Sequence, residues 1–373
     1  MHIPYGRQWI DEDDIQAVVE TLQSDYLTTG PKIAEFEKTV ANYTGVDYAV
    51  AVSNGTAALH IACLAAGIKE GDEIITTPVT FVASANCILY CGATPVFADI
   101  NPFTYNIDPK DVRKKITSRT KAIIAVDFTG QPCELDEIKQ IAREYKLLLI
   151  EDASHALGAD YKGTRIGSIA DLTIFSFHPV KHITTGEGGM VTTNNKELYD
   201  HLILYRNHGI TRNRNLMSSD DGPWFYQQIA LGYNYRITDI QCALGVSQMK
   251  KLDYFIKRRR EIAERYNKAF ENLDGIIIPG QLEGCNNSWH LYVVQITKKD
   301  RKSVITALLL KDIGVNVHYI PVYTQPYYRE HGYRNVSCPN AEKVYSQFVS
   351  LPMYAKLTDE EQDYVIKQVK NSI

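Results

Sequence analysis

The stretch Asp171-Leu-Thr-Ile-Phe-Ser-Phe-His-Pro-Val-Lys-His-Ile-Thr-Thr-Gly-Glu-Gly-Gly-Met-Val191 places a single lysine, Lys181, just beyond an apolar strand. The strand is predicted from Leu172 to Phe177. It ends at His178-Pro179 because proline cannot continue a hydrogen-bonded ladder and restricts the residue before it. The glycines that follow allow the backbone to approach another group closely. A lysine in this position is a candidate nucleophile, since partial shielding from water lowers its pKa.

An aspartate upstream of Lys181 completes a two-part sequence motif. Asp152 ends a second apolar strand and precedes the lysine by 29 residues. A strand-end aspartate followed by Ser-x-x-x-x-Lys, here Ser176 to Lys181, is the layout of a pyridoxal phosphate (PLP) site. In such a site the lysine forms a Schiff base with the cofactor, and the carboxylate keeps the pyridine nitrogen protonated. The pair therefore predicts that Lys181 and Asp152 are catalytic, although a lone lysine in a loop is usually only a solvated charge.

Length and composition restrict the class of protein. The chain has 373 residues, of which 45% are hydrophobic, with a net charge of -4. This size predicts two domains, which we place at 1–250 and 251–373. The negative charge argues against a nucleic-acid partner. We expect no signal peptide and no membrane span, because no run approaches about 18 apolar residues.

The cysteines and histidines suggest neither disulfides nor a metal site. Seven scattered cysteines without a C-x-x-C pair are typical of reduced thiols in a cytoplasmic protein. His178 and His182 lie four residues apart, but Pro179 and the missing glutamate argue against a zinc helix. We therefore expect no metal.

Strands and helices alternate through the first two thirds of the chain. Strands predicted at 48–52, 94–98, 122–127 and 147–150 are separated by helical segments. This spacing predicts an α/β fold, with a mostly parallel central sheet in a three-layer α/β/α large domain. In such sheets ligands bind at the C-terminal ends of the strands.

The last third predicts a smaller α+β domain. Its expected strands are Leu291–Ile296 and Val315–Tyr319, and one of its expected helices is Asn340–Phe348. Between the two domains' motifs, the polar stretch Thr211 to Gly222, which contains Arg212 and Arg214, is typical of a surface loop.

A second motif predicts a phosphate site. Ser53-Asn-Gly-Thr56 follows a short strand and opens a helix, and free N–H groups at a helix start bind anions. We assign Gly55, Thr56 and Ala57 to the cofactor phosphate. An ordinary capped helix is the competing interpretation. Phe81, in a proline turn, is a candidate to stack on the cofactor ring.

Several motifs together resemble the DegT/DnrJ/StrS family of sugar aminotransferases, which are fold-type I PLP enzymes acting on nucleotide-linked keto-sugars. The motifs are Gly55-Thr56, Glu151-Asp-Ala-Ser-His155, Ser176-Phe-His-Pro-Val-Lys181, Thr185-Gly-Glu-Gly-Gly189 and Gly232-Tyr-Asn-Tyr-Arg-Ile-Thr-Asp239. The resemblance covers nearly the whole chain. Within the family it favours the aminotransferases of pseudaminic acid biosynthesis, which use UDP-linked 4-keto-6-deoxy-HexNAc.

The resemblance implies roles for further residues. Lys181 would hold PLP and move protons, Asp152 would pair with the pyridine nitrogen, and Ser176 would bind the phosphate. His155 would lie beside the ring hydroxyl. Asn234 would reach the cofactor phosphate of a partner subunit, which implies a homodimer. The segments implied for the sugar nucleotide contain Tyr5, Asp25, Tyr26, Leu27, Thr28, His318, Tyr319, Ile320 and Pro321.

The implied activity is transfer of an amino group from glutamate to C4 of the UDP-linked keto-sugar. A dTDP-4-keto-6-deoxy-hexose aminotransferase is the main alternative, because it would share every catalytic residue. A sugar dehydratase of the same fold is disfavoured, since that branch resembles the family with histidine in place of the lysine. A non-catalytic PLP-binding sensor is also disfavoured by the presence of both Asp152 and Lys181.

Overall fold

The computed structural model describes residues 2–373, and nearly all of these lie in or between regular elements. The helices are α1 (Glu12–Leu22), α2 (Pro31–Thr44), α3 (Gly55–Ala65), α4 (Ala83–Tyr90), α5 (Pro109–Lys115), α6 (Leu135–Tyr145), α7 (Lys196–Arg206), α8 (Asp239–Met249), α9 (Leu252–Phe270), α10 (Arg301–Leu309), α11 (Pro326–Tyr328), α12 (Pro339–Tyr345) and α13 (Asp359–Ser372). The strands are β1 (Tyr48–Val52), β2 (Glu73–Thr76), β3 (Thr94–Phe97), β4 (Thr120–Val126), β5 (Leu148–Asp152), β6 (Asp160–Tyr161), β7 (Thr164–Arg165), β8 (Leu172–Ser176), β9 (Gly189–Thr193), β10 (Ile210–Thr211), β11 (Gln227–Gln228), β12 (Ile276–Ile277), β13 (Cys285–Asn286), β14 (Tyr292–Ile296) and β15 (Phe348–Leu351).

A seven-stranded sheet forms the centre, in the order β1-β9-β8-β5-β4-β2-β3. The pairs among β8, β5, β4, β2 and β3 are parallel, and β9 runs antiparallel to both β8 and β1. The predicted α/β fold with a mostly parallel central sheet is therefore confirmed.

Helices cover both faces of this sheet, which explains why its strands are mostly apolar on both sides. Ile124, Ile150 and Ile174 pack in one buried cluster with α3 and α4. Their neighbours in the strands, such as Leu149 and Phe175, pack in a second cluster with α2, α6 and α8. Because successive side chains of a strand point to opposite faces, a sheet buried on both faces favours apolar residues at consecutive positions.

The C-terminal part contains its own antiparallel sheet, in the order β12-β14-β15. Its buried cluster also includes Ile3, which forms a bridge with Ile313. The proposed boundary at 250/251 falls between α8 and α9, and we retain it as a proposal.

One predicted strand in this part is wrong, and one predicted helix ends earlier than expected. Val315–Tyr319 is not a strand; only Asn316 forms a single bridge, to Ser350. The helix predicted to reach Phe348 ends at Tyr345, and Phe348 begins β15 instead. Pairing with β14 explains the second error, because sheet hydrogen bonds and burial outweigh local helix propensity.

The strand register of the central sheet brings the predicted motifs together at the C-terminal ends of the parallel strands. Asp152 pairs with Val126 and with Ile174, two residues before Ser176. Gly189 pairs with both Ser176 and Val52. A Cβ at Gly189 would lie 2.4 Å from the carbonyl oxygen of Asn54, so a glycine is required where these strands meet the start of α3. No helix within residues 2–373 is long and apolar enough to cross a membrane.

Candidate active site

A cavity of about 950 Å³ lies at this edge of the sheet. The end of β5, the end of β8, the loop after β8 and the first turn of α3 form its inner wall, and residues 316–319 form part of its opposite wall. The cavity therefore occupies the C-terminal ends of the parallel strands, where the sequence predicted a ligand.

Asp152 is held as a hydrogen-bond acceptor in the wall of the cavity. Its Oδ2 accepts a hydrogen bond of 2.6 Å from Ser84 Oγ on α4, and its Oδ1 accepts one of 2.6 Å from Ser154 Oγ. The residue is 4% exposed. Hydrogen bonds donated to both oxygens fix the orientation of the carboxyl group.

Lys181 lies in a tight turn beyond β8, where its N–H donates to the carbonyl of His178 at 2.9 Å. Its Nζ is 3.4 Å from Nε2 of His290. Burial lowers the pKa of the ε-amine to about 7, against the attraction of Asp152, and the charge of Arg259 lowers it further. A large share of Lys181 is therefore the neutral, nucleophilic amine at neutral pH.

Four histidines surround this lysine and are kept neutral by burial. The pKa values of His155, His182 and His290 are each lowered well below the ordinary value, first by burial and then by neighbouring positive groups. His318 has a pKa lowered to about 4 for the same main reason, and its Nδ1 lies 2.7 Å from Ser350 Oγ. The site thus combines one carboxylate, one titratable amine and neutral imidazoles.

The first turn of α3 has backbone N–H groups suited to binding an anion. Asn54 Oδ1 accepts from the N–H of Ala57 at 2.8 Å, so the cap uses the third N–H of the helix and leaves those of Gly55 and Thr56 for a ligand. A Cβ at Gly55 would lie 3.1 Å from the side chain of Ser176, so this glycine lets the helix start lie against the end of β8. Asn54 as the N-cap agrees with the ordinary-cap interpretation, and this interpretation is compatible with an anion site.

Most residues predicted for the site line the cavity. They are Tyr5, Gly55, Thr56, Ala57, Phe81, Asp152, His155, Ser176, Lys181, His318 and Tyr319. Phe81 is 57% exposed, with its ring 6.1 Å from that of Tyr319.

The remaining predicted residues lie outside the cavity wall of this single chain. Asp25, Tyr26, Leu27 and Thr28 are exposed in the turn before α2, and Thr28 bridges to Thr238. Ile320 and Pro321 follow the lining segment without joining it. Asn234 is exposed and bridges to Asn207. Arg214 forms an ion pair of 3.0 Å with Asp220 in the exposed stretch.

The sequence reasoning missed three important residues. Ser154 follows Asp152 by two positions, and this short spacing could have indicated their hydrogen bond. Ser84 and His290 lie far from the motifs in sequence, and neither has a local pattern that would reveal its contact with Asp152 or Lys181.

These groups fit PLP. An acidic partner for a pyridine nitrogen, a lysine of lowered pKa and a helix start for a phosphate surround one cavity. His155 Nδ1 is buried without a hydrogen-bond partner among the described residues, and such an orphaned atom is typical of a ligand site. Residues 2–373 contain no group of three side chains suited to a metal ion.

Comparison with known proteins gives consistent matches over the whole chain. A model of the DegT/DnrJ/EryC1/StrS aminotransferase family matches residues 8–370. The spore coat polysaccharide biosynthesis protein SpsC of Bacillus subtilis is 44% identical over 100% of this chain and 97% of its own. A UDP-4-amino-4,6-dideoxy-N-acetyl-beta-L-altrosamine transaminase of Campylobacter jejuni is 40% identical over 97% of this chain and 95% of its own. Helicobacter pylori PseC, an aminotransferase of pseudaminic acid biosynthesis, superposes with a TM-score of 0.93 at 33% identity, covering 100% and 99% of the two chains.

Proposed function

Because this chain belongs to the DegT/DnrJ/EryC1/StrS aminotransferase family, we propose that it transfers an amino group from glutamate to C4 of a UDP-linked 4-keto-6-deoxy-HexNAc. The protein is a sugar aminotransferase, and its cofactor is PLP. The proposal adds the donor, the nucleotide and the sugar to that assignment. It also places the enzyme in a pseudaminic acid type of pathway in the cytoplasm.

The observation that carries the proposed chemistry is that Lys181 and Asp152 line the same cavity. Burial lowers the pKa of the lysine amine to about 7, so it can serve as base and acid at neutral pH. PLP, when bound, supplies an electron sink that stabilises negative charge at a carbon that has lost a proton. Lys181 Nζ would take a proton from the α-carbon of glutamate and deliver it to the aldehyde carbon of the cofactor, which would keep the amino nitrogen. In the second half-reaction Nζ acts in the opposite sense on C4 of the sugar, after 2-oxoglutarate has left.

The other residues bind and orient. Asp152, fixed by Ser84 and Ser154, pairs with the pyridine nitrogen and keeps its proton. The N–H groups of Gly55 and Thr56, with the hydroxyl of Ser176, hold the phosphate at the start of α3. Burial of the four histidines keeps further positive charge away from the lysine.

Two observations support a UDP-HexNAc substrate. The Campylobacter jejuni relative, 40% identical over nearly the full chain, is named for a UDP-linked 4-amino sugar, the kind of product that this amination would form. The volume of the cavity, about 950 Å³, exceeds what a cofactor alone needs, and Tyr5, His318 and Tyr319 line it with polar groups. A site that hydrogen-bonds uracil should reject bulkier bases, because its polar groups would be left unpaired.

A competition assay tests the substrate. The purified enzyme is given glutamate with equal amounts of a UDP-4-keto-6-deoxy-HexNAc and dTDP-4-keto-6-deoxy-glucose, and the products are measured by mass spectrometry. We expect the UDP compound, in its L-arabino configuration, to be aminated preferentially. Preference for the dTDP-sugar would reject the substrate and leave the aminotransferase chemistry intact. Absence of any amino transfer would instead favour the PLP-binding sensor.

We further propose that the enzyme acts as a homodimer in which Asn234 reaches the cofactor phosphate of the partner subunit. The exposure of Asn234 on a single chain supports this. Mixed dimers of a Lys181→Ala chain and an inactive Asn234→Ala chain should regain activity, because each would contain one complete site. No recovery, with subunit exchange verified, would place Asn234 in its own chain's site or outside any site.

A further inference from the structure

His290 contacts Lys181 directly, although no motif pointed to it. Its Nε2 lies 3.4 Å from Lys181 Nζ, and the residue is 3% exposed. Its other ring nitrogen, Nδ1, is buried and has no hydrogen-bond partner among residues 2–373. The lysine amine is therefore the polar neighbour that the imidazole reaches.

The backbone around His290 holds its ring in place. The N–H of Ser288 donates to the carbonyl of Gly130 at 3.1 Å, and the N–H of Leu291 donates to the carbonyl of Thr129 at 3.2 Å. Arg259 Nη1 donates to the carbonyl of His290 itself at 3.2 Å. The ring packs against that of His155, with centroids 4.3 Å apart. The backbone hydrogen bonds and the packing against His155 together fix the position of Nε2 relative to the lysine.

A purely structural role does not explain an imidazole at this position. A buried polar atom without a partner destabilises the folded state, so an apolar side chain of similar size would fill the space at lower cost. The chain instead has an imidazole in which Nδ1 lacks a hydrogen-bond partner and Nε2 faces the lysine amine. This arrangement is typical of a residue kept for function.

The unpaired Nδ1 also indicates which nitrogen carries the proton. A buried N–H without an acceptor is rarer in proteins than a buried acceptor without a donor. The favoured tautomer therefore has its proton on Nε2 and a lone pair on Nδ1. In that tautomer His290 donates to the lone pair of the neutral lysine amine.

We propose that His290 is a positioning residue, which donates from Nε2–H to Lys181 Nζ and so holds the free amine neutral and aimed into the cavity. The proposal rests on the aminotransferase function, because only there must the free amine move a proton. It goes beyond that function by naming the group that orients the base. It also explains why a histidine, and not an apolar residue, occupies this buried position.

The surroundings keep His290 in this role. The titratable and charged groups that face Lys181 are Asp152, Arg259 and the histidines at 155, 182 and 318. Burial lowers the pKa of His290 well below its ordinary value, and the positive charge on Lys181 lowers it further. At neutral pH the imidazole is uncharged, so it orients the base and does not compete with it for the proton.

The test compares His290→Gln with His290→Asn and His290→Leu. A glutamine amide reaches about as far as Nε2 and keeps a donor there, whereas an asparagine amide reaches only as far as Nδ1. The full-length chain, freed of PLP, is acetylated with acetic anhydride over a range of pH. The modified fraction of Lys181 is then read by peptide mass spectrometry.

We expect the midpoint for Lys181 to rise by about one pH unit in the asparagine and leucine variants, which is the size of one lost hydrogen bond. The glutamine variant should stay near the parent value. In the loaded enzyme, the acidic limb of the pH–rate profile should move upward by the same amount in the asparagine variant and not in the glutamine variant.

Equal midpoints in the glutamine and asparagine variants, with matching circular dichroism and melting curves, would overturn the proposal. The leucine variant is not essential, so a folding failure there leaves the comparison intact. The acetylation needs no turnover. A glutamine–asparagine difference in a chain that aminates no keto-sugar would therefore reject the proposed function and support the contact.

Discussion

The inner end of the cavity and the segment 211–231 differ in almost every physical respect. At the inner end, Asp152 and the groups around Lys181 are buried and hydrogen-bonded by several elements. In the segment, Trp224 is 68% and Leu231 76% exposed, and the regular structure is limited to two short strands and one turn. The difference teaches that one chain by itself buries Asp152 and the groups around Lys181, whereas it leaves the segment 211–231 open to solvent.

The largest effect should come from the lysine. Lys181→Ala should lower amino transfer by about 10⁴-fold, since both nucleophile and proton carrier are lost. Steady-state assays with glutamate measure the loss. In the parent enzyme, borohydride should fix the cofactor to the peptide that contains Lys181. Labelling of any other lysine would contradict the assignment of the inner end as the reactive region.

A smaller loss is expected at the carboxylate. Asp152→Asn should keep the cofactor, seen by its absorbance, and lose activity by about 10²- to 10³-fold, the scale for removing one preorganised electrostatic partner. Ser154→Ala is a matched control, since Asp152 retains its bond from Ser84 and the loss should be much smaller. Full activity of the asparagine variant would make Asp152 structural.

Stability should depend on pH through a second carboxyl pair behind the site. Asp127 directly follows β4 and Glu151 lies on the neighbouring strand β5, and each has one buried oxygen without a hydrogen-bond partner among residues 2–373. Burial raises the pKa of Glu151 to about 7, and burial and then Glu151 raise that of Asp127 well above its usual range. The folded state therefore keeps a proton that the unfolded chain releases above about pH 4.5.

The direction in which stability changes with pH follows from this proton. The unfolded chain binds fewer protons between about pH 4.5 and 7, so this pair lowers stability as the pH rises through that range. Asp127→Asn keeps the oxygen that accepts from the N–H of Cys133 and should flatten the dependence. Between pH 5 and 8 the parent Tm should fall by about 2–4 °C more than that of the variant. An equal change of Tm between the two pH values in the parent and in the variant would show that the pair holds no extra proton in the folded state.

The smallest effect is expected in the exposed segment. Arg214 forms a surface ion pair with Asp220, so Arg214→Ala should change the free energy of unfolding by less than about 1 kcal/mol. We propose Arg214 as a donor to the diphosphate of the UDP-sugar, so KM for that substrate should rise several-fold in the variant while the half-reaction with glutamate is unchanged. A slower glutamate half-reaction would show that the two regions are coupled.

The sequence by itself determined the central sheet and the inner end of the site. Apolar strands that end at Asp152 and Ser176, with the lysine turn and the glycine-containing start of α3, are local patterns. A parallel sheet brings such strand ends to one edge whatever surrounds them. The α/β fold and the residues lining the inner wall could therefore be predicted.

Only the tertiary structure decided the contacts made across long sequence separations. His290 reaches Lys181 over 109 residues, and Ser84 reaches Asp152 over 68. The segment 316–319 was predicted as a strand, yet it lines the cavity as irregular backbone, while Phe348 starts the strand that pairs with β14. Local propensity contributes less than about 1 kcal/mol per residue, so the partner that packing provides determines where such segments lie.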